Sequence, residues 1–333
     1  MQYFLISPDG DGYRNLARDE FFLNSLRKGD MILYLYVNRN AVIIGRNQNP
    51  WLECNLNQLD ADRVQLVRRV TGGGAVYHDE GNLNFSFICS EERYDEAEQT
   101  GIILSALTSL GIRANVTGRN DIEVDGKKFS GNAFCQRGSN RQRHGTLLIS
   151  ANLGIFDRYL HAPKQKLEAK GVKSVRARVC NLNEVKPGLD VASVCEALKN
   201  AYAERYGEFK EPKFSKNDLR EIQTLYQKHS SWEWRMGEAP HFDYRLENRF
   251  SFGMAQICLT VENGIVQKAE FYTDSLDTTL REKLEPVLNG AAFENSAIQT
   301  RLSCAGSEGA EIAEWLNEQN LLGNQRTVTE GKP

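Results

Sequence analysis

Long apolar runs are missing from this chain: no stretch approaches the ~18 residues that a membrane span needs. The opening residues, MQYFLISPDGDGYRN, have neither the basic start nor the apolar centre of a signal peptide. A cytoplasmic protein with no membrane partner is expected. Proline is scarce, 8 in 333 residues, and low-complexity tracts are absent, which argues against a disordered or linker-rich architecture. Positive charge is not in excess either. The formal net charge of -3 excludes a broadly basic nucleic-acid binder, so any anion site must be local. The seven cysteines, at 54, 89, 135, 180, 195, 258 and 304, are odd in number and form no CxxC pair. Neither a disulfide framework nor a cysteine metal site is indicated, and free thiols in a reducing compartment fit. The usual nucleotide motifs are missing as well. No GxxxxGK[ST] occurs, and GxGxxG fails at 72–77 because Tyr77 stands where a glycine is required.

What is there is an ordinary globular composition, 41% hydrophobic and 26% charged, in a length that suits one large domain and a smaller one. The first 150 residues read mostly as strands. MILYLYV and AVIIGR, linked by Asn38-Arg39-Asn40, are expected to pair as neighbours, and VQLVRRV and NLNFSFIC look alike. GIILSALTSLGI has helical spacing and stops at Gly111. DIEVDGKKFSG reads as a hairpin about Asp125-Gly126, followed by the strand TLLIS. Asp190 is a candidate N-cap for a helix ending near Gly207, and a second helix is expected over 217–228. After a polar stretch around Tyr244, GMAQICLTV and IVQKAEFYT read as two strands about an Asn-Gly turn, with a helical tail. The expected domains are therefore 1–246 and 247–333.

Three segments carry candidate chemistry. In RRVTGGGAVYHD the three glycines remove Cβ atoms and permit positive φ, so successive N–H groups can face an anion. Arginine supplies a bidentate fork, but neighbours on a strand face opposite ways, so only one of Arg68 and Arg69 can enter a given pocket. Ala75 and Val76 offer apolar wall, and His78 and Asn82 offer hydrogen bonds. An isolated GGG is more often a solvated hairpin than a site. In GRNDIEVDGKKFSGNAF, Lys128 follows the turn and precedes Ser130-Gly131, with Lys127 expected to face away. Asn120 and Asp121 can orient a metal or a ribose, or cap a turn. His144, before TLLIS, is of a kind more often structural than catalytic. AKGVKSVRARV places Lys170, Lys173, Arg176 and Arg178 together, either as a flap over phosphates or as a solvated face.

In this order and spacing, NLARDEFFL, IIGRNQNPWLECN, RRVTGGGAVYHDEGNLNFSF, GRNDIEVDGKKFSGNAF, HGTLLIS, KGVKSVRARVCNL and SSWEWRMG resemble the blocks of the lipoate-protein ligase A family, over nearly the whole chain. The resemblance implies an α+β catalytic domain of the class II aminoacyl-tRNA synthetase and biotin ligase type, with a small α+β accessory domain. It also implies a two-step reaction. Lipoate and ATP, with Mg²⁺, give lipoyl-AMP and pyrophosphate, and the acyl group then passes to a lysine of a lipoyl domain. Implied acceptors are the apo lipoyl domains of 2-oxo acid dehydrogenase acyltransferase subunits and the glycine cleavage H protein. Carried over, Lys128 looks like the family's catalytic lysine. The implied ATP and lipoyl-AMP contacts are Arg69, Gly73, Gly74, Ala75, Val76, Tyr77, His78, Asn82, Asn120, Asp121, Lys128, Ser130, His144 and Arg176, with Asp121 a candidate Mg²⁺ ligand. Phe129 departs from the smaller β-branched residue expected there, and the Asp125-Gly126 turn is short for the family. The alternative is an octanoyl or lipoyl transferase that takes a carrier-bound or preformed activated acyl group. The carrier-dependent kind needs a cysteine nucleophile, for which Cys135 is the thiol nearest the Lys128 block. A module that binds lipoate without turnover is the rival from another class.

Overall fold

MILYLYV becomes strand β2 (Met31–Val37), buried on both faces from Met31 to Tyr36, and a strand so apolar needs cover on each side. In the computed structural model, which describes residues 1–48, 50–117, 121–160, 179–236, 244–262, 265–293 and 295–318, β2 lies inside a seven-stranded sheet. Its partners are β1 (Gln2–Ile6), β6 (Asn82–Ser90), β7 (Asn115–Thr117), β8 (Asp121–Val124), β9 (Lys127–Arg137) and β10 (Asn140–Leu148), in the order β1-β2-β6-β10-β9-β8-β7. Among the described strands of this sheet, only β1 and β2 run parallel.

Alternation along the strands divides two cores. Leu33, Leu35, Leu83, Phe85, Phe87 and Leu147 share one core with Ile103 and Leu107 of α4 (Glu96–Ser109) and with Leu198 and Tyr202 of α7 (Val191–Tyr206). Tyr34, Tyr36 and Ile88 belong to the other, with Leu16 and Phe22 of α1 (Gly12–Ser25) and Ile222 of α8 (Lys216–Ser230). That second core also takes Ile43 and Val67 from a three-stranded sheet, β4-β3-β5, made of β3 (Ala41–Ile44), β4 (Gln65–Arg68) and β5 (Val76–His78). The expected pairing of β2 with β3 is therefore wrong: the link between them, with Asn40 at φ 47°, carries the chain from one sheet to the other. The physical reason is burial. Both strands are apolar on both faces, so stacking them in separate layers covers more surface than laying them edge to edge.

Local expectations hold better. Asp125 and Gly126 have φ 51° and 73°, the double positive φ of a tight hairpin turn, and β8 pairs with β9 across it. Asp190 caps α7 and Gly207 ends it at φ 81°. Helix α4 begins earlier than GIIL, at Glu96, because Asp95 accepts a hydrogen bond from the Glu98 amide. The described residues of this part also form the short helices α2 (Pro50–Glu53), α3 (Leu56–Ala61), α5 (Phe156–Tyr159), α6 (Leu182–Val185) and α9 (Trp232–Arg235).

Two compact units result. One holds 1–44, 50–71 and 75–235; the other holds 45–49, 72–74 and everything from 236 on. The second unit contains an antiparallel sheet of β11 (Tyr244–Phe250), β12 (Gly253–Glu262) and β13 (Ile265–Thr273). Helices α10 (Leu280–Leu288), α11 (Asn295–Ser303) and α12 (Gly306–Glu318) share its core through Leu284, Leu302 and Ile312. Residues 246 and 247, where the sequence reading divides the chain, both lie in β11, whose alternating polar sequence YRLENRF concealed a strand. The Asn-Gly turn expected between β12 and β13 falls at 263–264, outside the described residues.

Candidate active site

The two arginines part company. Arg68 donates from Nε to the Trp234 carbonyl at 2.9 Å and from Nη2 to the Arg235 carbonyl at 2.8 Å, while the Trp234 indole donates back to the Arg68 carbonyl. It thus fastens SSWEWR to the end of β4. Arg69 is held in the interior, donating to the Ile43 carbonyl at 3.2 Å. Burial pulls its guanidinium down to about 10, opposed by the neighbouring Tyr36, so it stays a cation at neutral pH.

The glycines have three different reasons. A Cβ on Gly72 would stand 2.1 Å from the Ser275 carbonyl oxygen, Gly73 has φ 93°, and Gly74 faces open space. Gly73 also donates its N–H to the Ser275 carbonyl at 3.0 Å. That amide is thus engaged within the second unit. Beyond the turn, Val76 and His78 share a face of β5 and Tyr77 takes the other. The Tyr77 hydroxyl donates to Asn40 at 3.1 Å and its ring lies against Tyr159. Asn82 is fully buried, with its Oδ1 lacking a partner among the described residues.

Lys128 owes its direction to a bulge. The register pairs Asp121 with Gly131 and Ile122 with Ser130, then shifts so that Glu123 faces Lys128. Phe129 is the extra residue, fully buried in the core that also holds Ile122. Strict alternation would have turned Lys128 into that core; the shift puts it on the face of Asp121, Gly131 and Ala133. Its Nζ lies 2.6 Å from Asp121 Oδ1. A Cβ on Gly131 would stand 3.2 Å from that nitrogen, so the missing side chain leaves room for the ammonium. Ser130 points the opposite way, buried beside the core, and its Oγ has no partner among the described residues.

The same sheet face carries His144, which is opposite Ala133 and Ser86. Strand rise and spacing put its Cα roughly 8 Å from that of Gly131. Its Nδ1 lies 3.1 Å from Asp19 and its Nε2 2.7 Å from the Thr71 hydroxyl, all three residues buried. A carboxylate only accepts, so Nδ1 donates to Asp19, while the Thr71 hydroxyl, able to donate or accept, meets Nε2. His78 is also buried, 3.1 Å from the Asn38 side chain. Burial, followed by Arg69 and His144, pushes its imidazole down to about 3. Arg69, His78 and His144 are thus brought together in the first unit. Asn120 and Arg176 lie outside the described residues.

Sequence reasoning missed Asp19, Asn15, Asn38 and Thr71. For Asn15 and Asp19 the signal was in NLARDEFFL, where they recur at helical spacing with Leu16 and Leu23, polar groups on a face that α1 buries. It also missed that Cys180 sits beside Lys128, its N–H donating to the Lys128 carbonyl at 3.0 Å.

Against this geometry the comparisons are decisive. Residues 11–203 match the lipoyl protein ligase A/B catalytic domain, and residues 239–316 match the bacterial lipoate protein ligase C-terminus. A lipoate-protein ligase A of Blochmanniella pennsylvanica is 37% identical over 331 residues, covering 94% of this chain and 97% of that protein. The chain belongs to the lipoate-protein ligase A family. Among solved structures similar to this ligase, P. falciparum LipL1 in complex with lipoate superimposes with a TM-score of 0.83 at 29% identity, over 96% of this chain and all of that one. A lipoate-protein ligase A bound with ATP gives 0.62 at 28% identity, over 71% and 98%. The Thermoplasma acidophilum bipartite ligase, studied with its E2 lipoyl domain, gives 0.64 at 30%, over 72% and 97%.

Proposed function

We propose that this ligase activates lipoate with ATP to lipoyl-AMP, releasing pyrophosphate, and then passes the lipoyl group to a lysine of a lipoyl domain. The observation that carries the reading is Lys128, turned by the bulge onto the sheet face that also bears His144 and held at 2.6 Å by Asp121. When a carboxylate attacks the α-phosphorus, two anions meet, so fixed cations must offset the charge that gathers there. Lys128 bridges the acyl carbonyl and the α-phosphate, and Arg69, a buried cation, supplies the second charge. Nucleotide and adenylate contacts are proposed for the main chain from Gly73 to Tyr77, His78, Asn82, Asn120, Asp121 and Arg176, with Ser130 and His144 in support. Magnesium usually arrives on the nucleotide's phosphates and asks for only one or two protein carboxylates. Asp121, partly exposed beside Lys128, suits that part, and the ion would offset phosphate charge.

The catalytic domain is taken as 1–246 and the accessory domain as 247–333. Lipoyl domains of 2-oxo acid dehydrogenases and the glycine cleavage H protein are the proposed acceptors, in the cytoplasm. No described helix is long and apolar enough to cross a membrane.

The carrier-dependent transferase reading fares worse. Cys135 is seven residues along β9 from Lys128, roughly 20 Å at the rise of a strand. Cys180 is nearer but buried, and burial raises its thiol above the usual value, which leaves little thiolate. The test is mass spectrometry of an apo lipoyl domain incubated with this protein, lipoate, ATP and Mg²⁺. A lipoyl mass shift on one lysine is expected, with lipoate-dependent exchange of pyrophosphate into ATP. Absence of both from folded protein would overturn the proposal.

A further inference from the structure

Asn15 fixes a chain of orientations that ends in the site. Its side-chain nitrogen donates to two main-chain carbonyls, of Asp9 at 3.1 Å and Val37 at 3.0 Å. Its oxygen accepts from the hydroxyls of Ser7 at 2.6 Å and Tyr34 at 3.1 Å. Carbonyls accept and never donate, so this amide cannot be turned over. The same nitrogen lies 2.9 Å from the Asn38 side chain, which must therefore present its oxygen there. Asn38 Nδ2 then points the other way, to His78 Nδ1 at 3.1 Å. An amide nitrogen only donates. His78 Nδ1 is consequently an acceptor without a hydrogen, and the ring's hydrogen sits on Nε2, which is buried and has no partner among the described residues.

We propose that His78 is a fixed, uncharged hydrogen-bond donor whose Nε2–H meets an oxygen of the bound acyl phosphate, and that Asn38 is the positioning residue that sets this tautomer. The inference rests on the lipoate-activating reading for its ligand, though not for its tautomer. Arg69 and His144 are the groups that face the ring, and with burial they keep it uncharged far below neutral pH. A buried N–H donor beside a buried guanidinium suits an anionic or strongly polarised oxygen, and a ring that stays uncharged makes that contact without exchanging protons. His144 is set the opposite way, its Nδ1 carrying a hydrogen that it donates to Asp19, with Thr71 at its Nε2.

The experiment is a long-range ¹H–¹⁵N spectrum of the full chain labelled in histidine, with the His78 signals identified from H78Q. The Nε2–H form is expected, unchanged from pH 5 to 8, and its N–H signal should shift when a non-hydrolysable lipoyl-adenylate analogue binds. An Nδ1–H form, a cation at pH 5, or no shift on binding overturns the proposal. Asn38→Asp replaces the donor to Nδ1 with an acceptor and should reverse the tautomer. It should weaken binding of the analogue about tenfold to a hundredfold, as loss of one hydrogen bond to a charged group does. Undiminished affinity with a reversed tautomer overturns the assignment. Should that variant not fold, H78Q, which keeps an N–H donor, is expected to bind more tightly than H78L, and equal affinities of the two overturn it. Failure of the wild type to bind the analogue or exchange pyrophosphate would count against the ligase reading and leave the tautomer result standing.

Discussion

Glu20 is 2% exposed, yet its carboxylate lies 2.6 Å from Lys228, 2.8 Å from Arg137 and 2.8 Å from His229. Burial would raise it, but the hydrogen bonds from His229, Arg137 and Lys228 prevail and hold it well below the usual carboxylate range. A carboxyl depressed in the fold stabilises fully above its unfolded value of about 4.3, and that contribution is lost as pH falls below it. Glu20→Gln leaves the buried His229 and the part-exposed Lys228 and Arg137 without their carboxylate, and is expected to cost about 1–3 kcal/mol at pH 7. Thermal melting should show a lowered midpoint, and the gap from wild type should narrow as pH drops below about 4. Lys128 is the opposite kind of residue, half-exposed, with a proposed part in the reaction rather than in the core. Lys128→Met should leave the melting midpoint nearly unchanged while pyrophosphate exchange falls about a hundredfold or more, the scale for removing a charge that acts on a transition state. Lys128 stands out in the sequence through its resemblance to the family's K-x-S-G block. Glu20 does not, since an acid on a helix ordinarily reads as surface and only the cations arriving from β9 and α8 make its burial tolerable.

At the scale of elements, the hairpin β8–β9 shows how far local sequence reaches. Asp125-Gly126 announces the turn by backbone chemistry alone, but a two-residue turn fixes register only until a bulge intervenes. The oversized Phe129, noticed in the sequence as out of pattern, is the residue the bulge accommodates. Gly131→Ala tests what the strand does for Lys128. Its backbone suits alanine, and the new methyl would sit 3.2 Å from the ammonium, so the side chain must move while the sheet need not. Melting is expected to be within a degree or two of wild type, with exchange reduced about tenfold if Lys128 acts as proposed, since displacing such a group by an ångström is costly. Unchanged exchange would mean that the ammonium does not need the space beside Gly131.

At the scale of the molecule, the glycine turn belongs with residues from 236 on, although it lies in the middle of the sequence that forms the first unit. Gly45 and Gly72 allow this: a Cβ on Gly45 would come 2.1 Å from the Gly73 carbonyl oxygen, and one on Gly72 equally close to that of Ser275. Main chain cannot yield as a side-chain tip can. Gly72→Ala should therefore both lower the melting midpoint by several degrees and abolish most lipoyl transfer, read by mass spectrometry of the acceptor domain. A variant that melts and works as wild type would show that the turn tolerates rearrangement. The glycines were read in the sequence as an anion cradle; that they also admit a neighbouring main chain needed a contact some two hundred residues away.

By itself the sequence determined the local features: helix caps at Asp190 and Gly207, the hairpin turn, the two-part organisation, and the ordered blocks that mark the family. These depend on backbone preferences and side-chain chemistry within a few residues, which the chain carries wherever it goes. Tertiary structure alone decided which layer β3 joins, which way Lys128 turns, and which nitrogen of His78 holds its hydrogen. Each of those is settled by a partner far along the chain, through the burial of a second apolar face, a shifted register, or a hydrogen bond whose direction is inherited from the one before it.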